Sequence, residues 1–277
     1  MKKIIAVLND FQKADDLLQK AVTLTKEHNA ILEILYVHEE PLFDIPDYFR
    51  PDNSIKENII DKEKITQEIK NRVKKLGFEK DCAVLTFVDD TVDRVLTQTD
   101  NDTDTLIITP YHEKITQKLV KKSHLPVIVV KNSINEYKKI VLPVDLSDSS
   151  RNCIDLANKI FPHAQKRLLH DYRYVLDTAI MDVDYLGMPT TDPIMNTQIN
   201  QELKQAQLES FEVLKKETGL EGDFIEETLS VEEDLAKYIN ASHFDLTILC
   251  SHKKYFLLSD SVSFSLLETL ENDILIF

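Results

Sequence analysis

Lys138-Lys139-Ile140-Val141-Leu142-Pro143-Val144-Asp145-Leu146-Ser147 decides the fold, because its opening repeats Lys2-Lys3-Ile4-Ile5 at an offset of 138 − 2 = 136 residues, about half of the 277-residue chain. Each copy reads as a buried strand, Ile4 to Leu8 or Ile140 to Val144, that ends on polar residues, Asn9-Asp10 or Asp145-Leu146-Ser147. A helical pattern follows each. Ala14, Leu17, Leu18, Ala21 and Val22 in the first half, and Cys153, Ile154, Ala157, Ile160 and Phe161 in the second, have the spacing of one buried helix face.

The order of elements persists to the end of both halves. Second strands are expected at Ile31 to Val37 and around Arg167 to Tyr172, followed by loops carrying Pro41, Pro46 and Pro51 or Met188-Pro189 and Pro193. Ile65, Ile69, Val73 and Leu76 mark the next helix clearly, whereas Leu203, Ala206, Phe211 and Leu214 mark its counterpart less regularly. Gly77 and Gly219 stand where helices should be capped. Third strands at Cys82 to Val88 and Phe224 to Leu229 lead into helices with Val92, Val95 and Leu96 or Val231, Leu235, Tyr238 and Ile239. Fourth strands fall at Thr105 to Thr109 and Leu246 to Cys250, and fifth strands at Val127 to Val130 and Ile274 to Phe277. Five strands alternating with helices imply parallel sheets with helices on both faces, since each parallel crossover needs a helix to return the chain.

Length and composition agree with two domains, expected at 1–132 and 138–277. Apolar residues make up 43% of the chain and aromatic residues 8%, enough for packed cores. Runs such as Leu106-Ile107-Ile108 are far short of the roughly 20 residues of a bilayer span. The formal charge is −15, divided as 20 − 24 = −4 before Tyr137 and 13 − 24 = −11 from there on. Such a balance repels nucleic-acid phosphates and anionic lipid surfaces, so neither is expected as a general partner. Cys82, Cys153 and Cys250 are odd in number and far apart in the chain, without a CxxC motif. Neither a disulfide framework nor a compact zinc motif is expected, and a cytoplasmic location fits best.

The chain resembles the universal stress protein family, in two consecutive copies. The resemblance rests on Lys139 to Ser147 as a first strand ending in an acidic residue, Leu168-Leu169-His170 as a second strand and Asp245 to Leu249 as a fourth. Ser261-Val262-Ser263 with Leu266-Leu267, and Asp273 to Ile276, resemble the last helix and strand, and Pro126 to Val130 is similar to that strand in the first half. The resemblance implies two five-stranded, Rossmann-like parallel sheets packed as a pseudo-dimer within one chain, with ligands at the carboxyl ends of the strands where strand order reverses. A homodimer of the whole chain is a further option it leaves open.

Nucleotide-binding members of that family carry a GxxGx9G[S/T] pattern after the fourth strand, where glycines let phosphate oxygens approach backbone amides. Neither half has it. The second half reads Cys250-Ser251-His252-Lys253-Lys254-Tyr255-Phe256-Leu257-Leu258-Ser259-Asp260-Ser261, and the first passes from Thr109-Pro110-Tyr111-His112 almost directly into a helix. The resemblance makes Asp145 a candidate for a ribose contact, His252, Lys253, Ser261 and Ser263 candidates for phosphate, and Ser147 a further binding candidate, should an adenine nucleotide bind. In the plainer reading Asp145 caps the helix that follows, Ser261 and Ser263 cap the last helix, and Lys253-Lys254 is a solvated pair. Asp171 falls where nucleotide-binding relatives have an apolar residue near adenine, and Asn9 replaces the acidic residue in the first half.

Other chemistry has less behind it. His170, His252, Cys153 and Cys250 could converge at strand ends and hold a transition metal, against the plainer reading of core cysteines and a loop histidine. His112 and His124 flank a helix and read as boundary residues. No GxxxxGK[ST], HExxH or GxSxG motif occurs, so no catalytic residue, metal or cofactor is assigned. Three functions remain: a stress-associated regulatory protein that senses a small ligand without the usual ATP site, an adenine-nucleotide sensor with slow ATPase activity, and a ligand-free scaffold that binds a protein partner through Pro41 to Asn53 and Asp177 to Asn196.

Overall fold

The computed structural model describes residues 1–39, 61–133, 136–172, 193–226, 230–250 and 259–277. They divide into two compact units, Met1–Glu136 and Tyr137–Phe277. The expected segment Pro41 to Asn53 lies outside the described residues, as does most of Asp177 to Asn196.

In the first unit the strands are β1 (Lys3–Leu8), β2 (Ile31–Glu39), β3 (Ala83–Asp89), β4 (Thr105–Pro110) and β5 (Val127–Val130). They form a parallel sheet in the order β3-β2-β1-β4-β5. The helices are α1 (Ala14–His28), α2 (Lys62–Lys75), α3 (Thr91–Thr99) and α4 (Glu113–Lys122). Ile4 to Leu8 and Leu106 to Ile108 are buried on both faces, as continuous apolar runs in a parallel sheet require. The apolar stripe of α1 lies against that sheet, with Ala14, Leu17, Leu18, Ala21 and Val22 all buried. Among them Lys20 is also buried, its ammonium donating to the Asn132 carbonyl at 2.5 Å, so a charge inside the fold is met by a backbone acceptor at the unit's last residues.

The second unit repeats the order. Its strands are β6 (Lys139–Pro143), β7 (Gln165–Asp171), β8 (Glu221–Ile225), β9 (Leu246–Leu249) and β10 (Asp273–Ile276), parallel in the order β10-β9-β6-β7-β8. Its helices are α5 (Asp148–Ile160), α6 (Pro193–Thr218), α7 (Val231–Ala241) and α8 (Ser259–Thr269). Each unit starts its first strand on an aspartate, by a backbone oxygen in one and a side-chain oxygen in the other. Lys2 and Lys3 donate backbone N–H groups to the Asp104 carbonyl, and Lys138 and Lys139 donate theirs to the Asp245 carboxylate at 2.8 Å. Each aspartate stands just before the fourth strand of its unit, tying first to fourth.

Two boundaries differ from the sequence expectation. Pro193, expected in a loop, is the first residue of α6, a position that suits proline because its fixed φ is helical and no N–H is needed there. The third strand of this unit begins at Glu221, before the expected Phe224, and is described to Ile225; residues 227–229 of the expected strand lie outside the described residues. It is the edge strand, so its polar start costs little, and Arg167 of β7 holds it there through a two-pronged ion pair with Asp223. Gly77 and Gly219 follow the last residues of α2 and α6 with φ of 68° and 67°, the left-handed conformation that a cap needs.

Candidate functional site

The strand order of each unit reverses between its first and fourth strands, where the loops diverge and leave a crevice. In the second unit this point lies beyond the ends of β6 and β9. The chain leaves β6 at Pro143, passes Val144 and Asp145, and turns through Leu146 at φ 64° before α5 begins at Asp148. That left-handed residue folds the backbone so that the Asp145 side chain meets the start of α5. Its Oδ1 accepts from the Ser147 N–H at 3.0 Å, the Ser147 hydroxyl at 2.6 Å and the Ser150 hydroxyl at 2.7 Å. Ser150 Oγ in turn accepts the Asp145 N–H at 3.2 Å. The arrangement is an Asx turn rather than the expected cap by Asp145: the N-cap of α5 is Ser147, and the carboxylate binds that residue's N–H and two serine hydroxyls.

Pro143, Asp145, Ser150, Leu249, Cys250, Ser263 and Leu266 enclose a cavity of about 10 Å³. A single water needs about that much space, and residues 251–258, which follow Cys250, lie outside the described residues. Two of the expected site residues, Asp145 and Ser263, therefore share a cavity. Ser147 is joined to that wall through Asp145. Ser261 belongs to the first turn of α8, and His252 and Lys253 lie outside the described residues.

Cys153 and Cys250 correct the expectation that no disulfide would form. They are bonded, with Cα atoms 6.0 Å apart and 97 residues of chain between them, a separation well within disulfide reach. The reason is topological. The inner face of α5 packs on β9, so a residue at the carboxyl end of β9 comes under the second turn of α5. The expected convergence of these two cysteines is thus met by a bond between them rather than by a metal. Cys250 also lines the cavity, and Cys153 stands three residues after Ser150 on the same helix face.

His170 belongs to no metal cluster among the described residues, and His252, expected beside it, lies outside them. His170 is fully buried, with Nδ1–H directed to the Val144 carbonyl at 2.7 Å and Nε2 3.1 Å from Gln207 Oε1, and its ring lies against Phe211 and Phe224. Among the described residues no group of three histidine, cysteine or carboxylate side chains is placed to hold a metal. Asp171, at the end of β7, is buried as well.

The corresponding point of the first unit is built differently. Asn9 Nδ2 donates to the Val37 carbonyl at 3.2 Å and to Thr91 Oγ1 at 2.5 Å, while Thr91 N–H donates to Glu39 Oε1 at 3.0 Å. An amide that donates thus stands where the second unit has a carboxylate that accepts, and it ties β1, β2 and α3 together. After β4, α4 starts within three residues of Pro110, and the Thr116 hydroxyl accepts the His112 N–H at 2.8 Å. That short, self-capped turn has no glycine-rich loop in it.

Residues 1–131 match the Universal stress protein family. The first unit is a universal stress protein domain. The family connects the chain with stress-associated function. The whole chain is also similar in fold to two solved structures. One is a functionally unknown protein from Pseudomonas aeruginosa PAO1, with 14% identity, a TM-score of 0.69, and coverage of 100% of this chain and 92% of that one. The other is a universal stress protein from Archaeoglobus fulgidus DSM 4304, with 11% identity, a TM-score of 0.64, and coverage of 99% and 95%. No curated protein matches the chain. Among the described residues no helix is long and apolar enough to cross a membrane.

Proposed function

We propose that the chain is a tandem stress protein with a regulatory role, whose second unit is a further universal stress protein domain. In this reading it has lost the usual ATP site and keeps a small-ligand site at the ends of β6 and β9. The observation that carries the proposal is the state of Asp145. Its Oδ1 takes three hydrogen bonds from the entry of α5, and the cavity it shares with Ser263 holds about 10 Å³. A carboxylate oxygen that already holds three donors of its own chain is less available to a ribose, which supports a site altered from the nucleotide-binding pattern. The first unit serves in packing or partner contact, with Asn9 fastening its own switch point.

Native mass spectrometry of gently purified chain tests this. The expected spectrum has no stoichiometric adenine nucleotide. A nucleotide that co-purifies at one per chain, and is lost on Asp145→Ala but kept in surface variants such as Lys118→Ala, would replace this reading with that of a nucleotide sensor.

A further inference from the structure

The Cys153–Cys250 bond has two unequal ends. Cys153 is fully buried on the inner face of α5, whereas Cys250 is half-buried and forms part of the cavity wall beside Asp145 and Ser263. Thiol–disulfide exchange requires the incoming thiolate to reach one sulfur in line with the bond, so access decides which sulfur is attacked. Of the two, Cys250 is the end that is not fully buried. The third cysteine, Cys82, is free and buried, and burial pushes its thiol pKa up, which keeps it in the unreactive protonated form.

We propose that Cys153 and Cys250 are a reversible redox site, in which Cys250 exchanges with low-molecular-weight thiols and disulfides and Cys153 is the buried partner that resolves the mixed disulfide. In the reducing direction a dithiol attacks Cys250 Sγ as its thiolate. The bond to Cys153 breaks, and Cys153 leaves with the electron pair and takes up a proton. The second thiolate of the reductant then attacks its own sulfur in the mixed disulfide. That releases Cys250, which is protonated in turn, and leaves the reductant as a cyclic disulfide. In the oxidising direction the Cys250 thiolate attacks glutathione disulfide and expels one glutathione. The Cys153 thiolate then attacks Cys250 and expels the second. Two electrons and two protons pass in each direction.

The position of the bond gives the exchange a consequence. It ties the end of β9 to α5 one turn after Ser150, the residue whose hydroxyl holds Asp145. In a reducing compartment a disulfide of this kind is kept only transiently, which is the setting in which redox-sensing cysteines work. The site does not depend on whether the neighbouring cavity takes a ligand.

The test uses the full chain, purified without reductant and equilibrated across a series of reduced-to-oxidised glutathione ratios. Free thiols are alkylated in the folded state, then in denaturant, and assigned by peptide mass spectrometry. Cys153 and Cys250 should pass together and reversibly between bonded and thiol forms, while Cys82 stays reduced and reacts only on unfolding. In Cys153→Ser, glutathione disulfide should leave one glutathione per chain on Cys250. In Cys250→Ser, Cys153 should stay unmodified while the chain is folded. A bond that survives millimolar dithiothreitol in the folded chain would overturn the proposal, as would thiols at both positions at every ratio or glutathione on Cys153 or Cys82. Mapping of the unsubstituted chain decides the matter even where a serine variant does not fold.

Discussion

A Cβ atom added at Gly222 would stand 2.7 Å from the Phe211 ring and 2.9 Å from both the Cβ and the carbonyl oxygen of Leu168. Gly222 pairs with Leu168 between β7 and β8, and Phe211 of α6 closes over the pair. The aromatic ring could tilt, but the Leu168 backbone cannot move without disturbing the ladder. Gly222→Ala is therefore expected to cost about 1–3 kcal/mol, the usual range for overpacking. Denaturant unfolding of the two proteins measures it. Phe211→Leu in the same chain should give a double variant less destabilised than the sum of the single ones, because the two positions touch.

That contact also explains what the sequence could and could not convey. The buried strands were legible because each is a short apolar run, and β1, β4, β6 and β9 lie where those runs predict them. The β8 edge was not, since Glu221, Gly222 and Asp223 carry no apolar signal and Asp223 is held by a partner far along the chain, Arg167. Pro193 read as a loop because proline signals a break, although the first position of a helix accepts it. At the site, Asp145 was legible from its place after the first strand, although as a cap rather than as the Asx turn it forms. The convergence of Cys153 and Cys250 was foreseen only as a metal hypothesis. Their bond depends on the packing of α5 over β9, which no local pattern encodes.

The end of α7 offers a test of helix termination. His243 has φ of 51° just after the Ser242 cap, and its side chain is exposed. A left-handed residue with a Cβ is strained, whereas Gly77 and Gly219 occupy equivalent positions without that penalty. His243→Gly should stabilise the chain by about 0.5–1 kcal/mol, the steric relief being larger than the added freedom of the unfolded state. Gly219→Ala should shift stability in the opposite direction by about 1 kcal/mol. Thermal unfolding at one pH compares all three proteins.

The Arg167–Asp223 pair sets a pH dependence. The Arg167 guanidinium, with the Tyr238 hydroxyl at 2.6 Å, holds the Asp223 carboxyl below its ordinary 3.8. A carboxyl whose folded pKa is depressed contributes stability that is complete above the unfolded value and is lost as pH falls through the folded one. Both side chains are partly exposed, so water screens the pair and its contribution is about 1 kcal/mol. Asp223→Asn should thus be less stable than the parent by about that amount at neutral pH. The gap should close as pH drops from about 4 through the lowered carboxyl range, in unfolding curves recorded at stepped pH.

Asp145 separates turn formation from ligand recognition. Its Oδ1 accepts three hydrogen bonds from Ser147 and Ser150, of which a neutral asparagine amide oxygen, with two lone pairs, keeps two. Asp145→Asn should therefore keep the turn into α5 at a cost of about 0.5–1 kcal/mol, whereas Asp145→Ala removes the acceptor and should cost about 1–2 kcal/mol. A ligand held by the negative charge of Asp145 would be lost from both variants, while one held by the shape of the turn would be lost only from the alanine variant. Unfolding free energies and native mass spectra of the two proteins, taken side by side, assign the residue to charge or to shape.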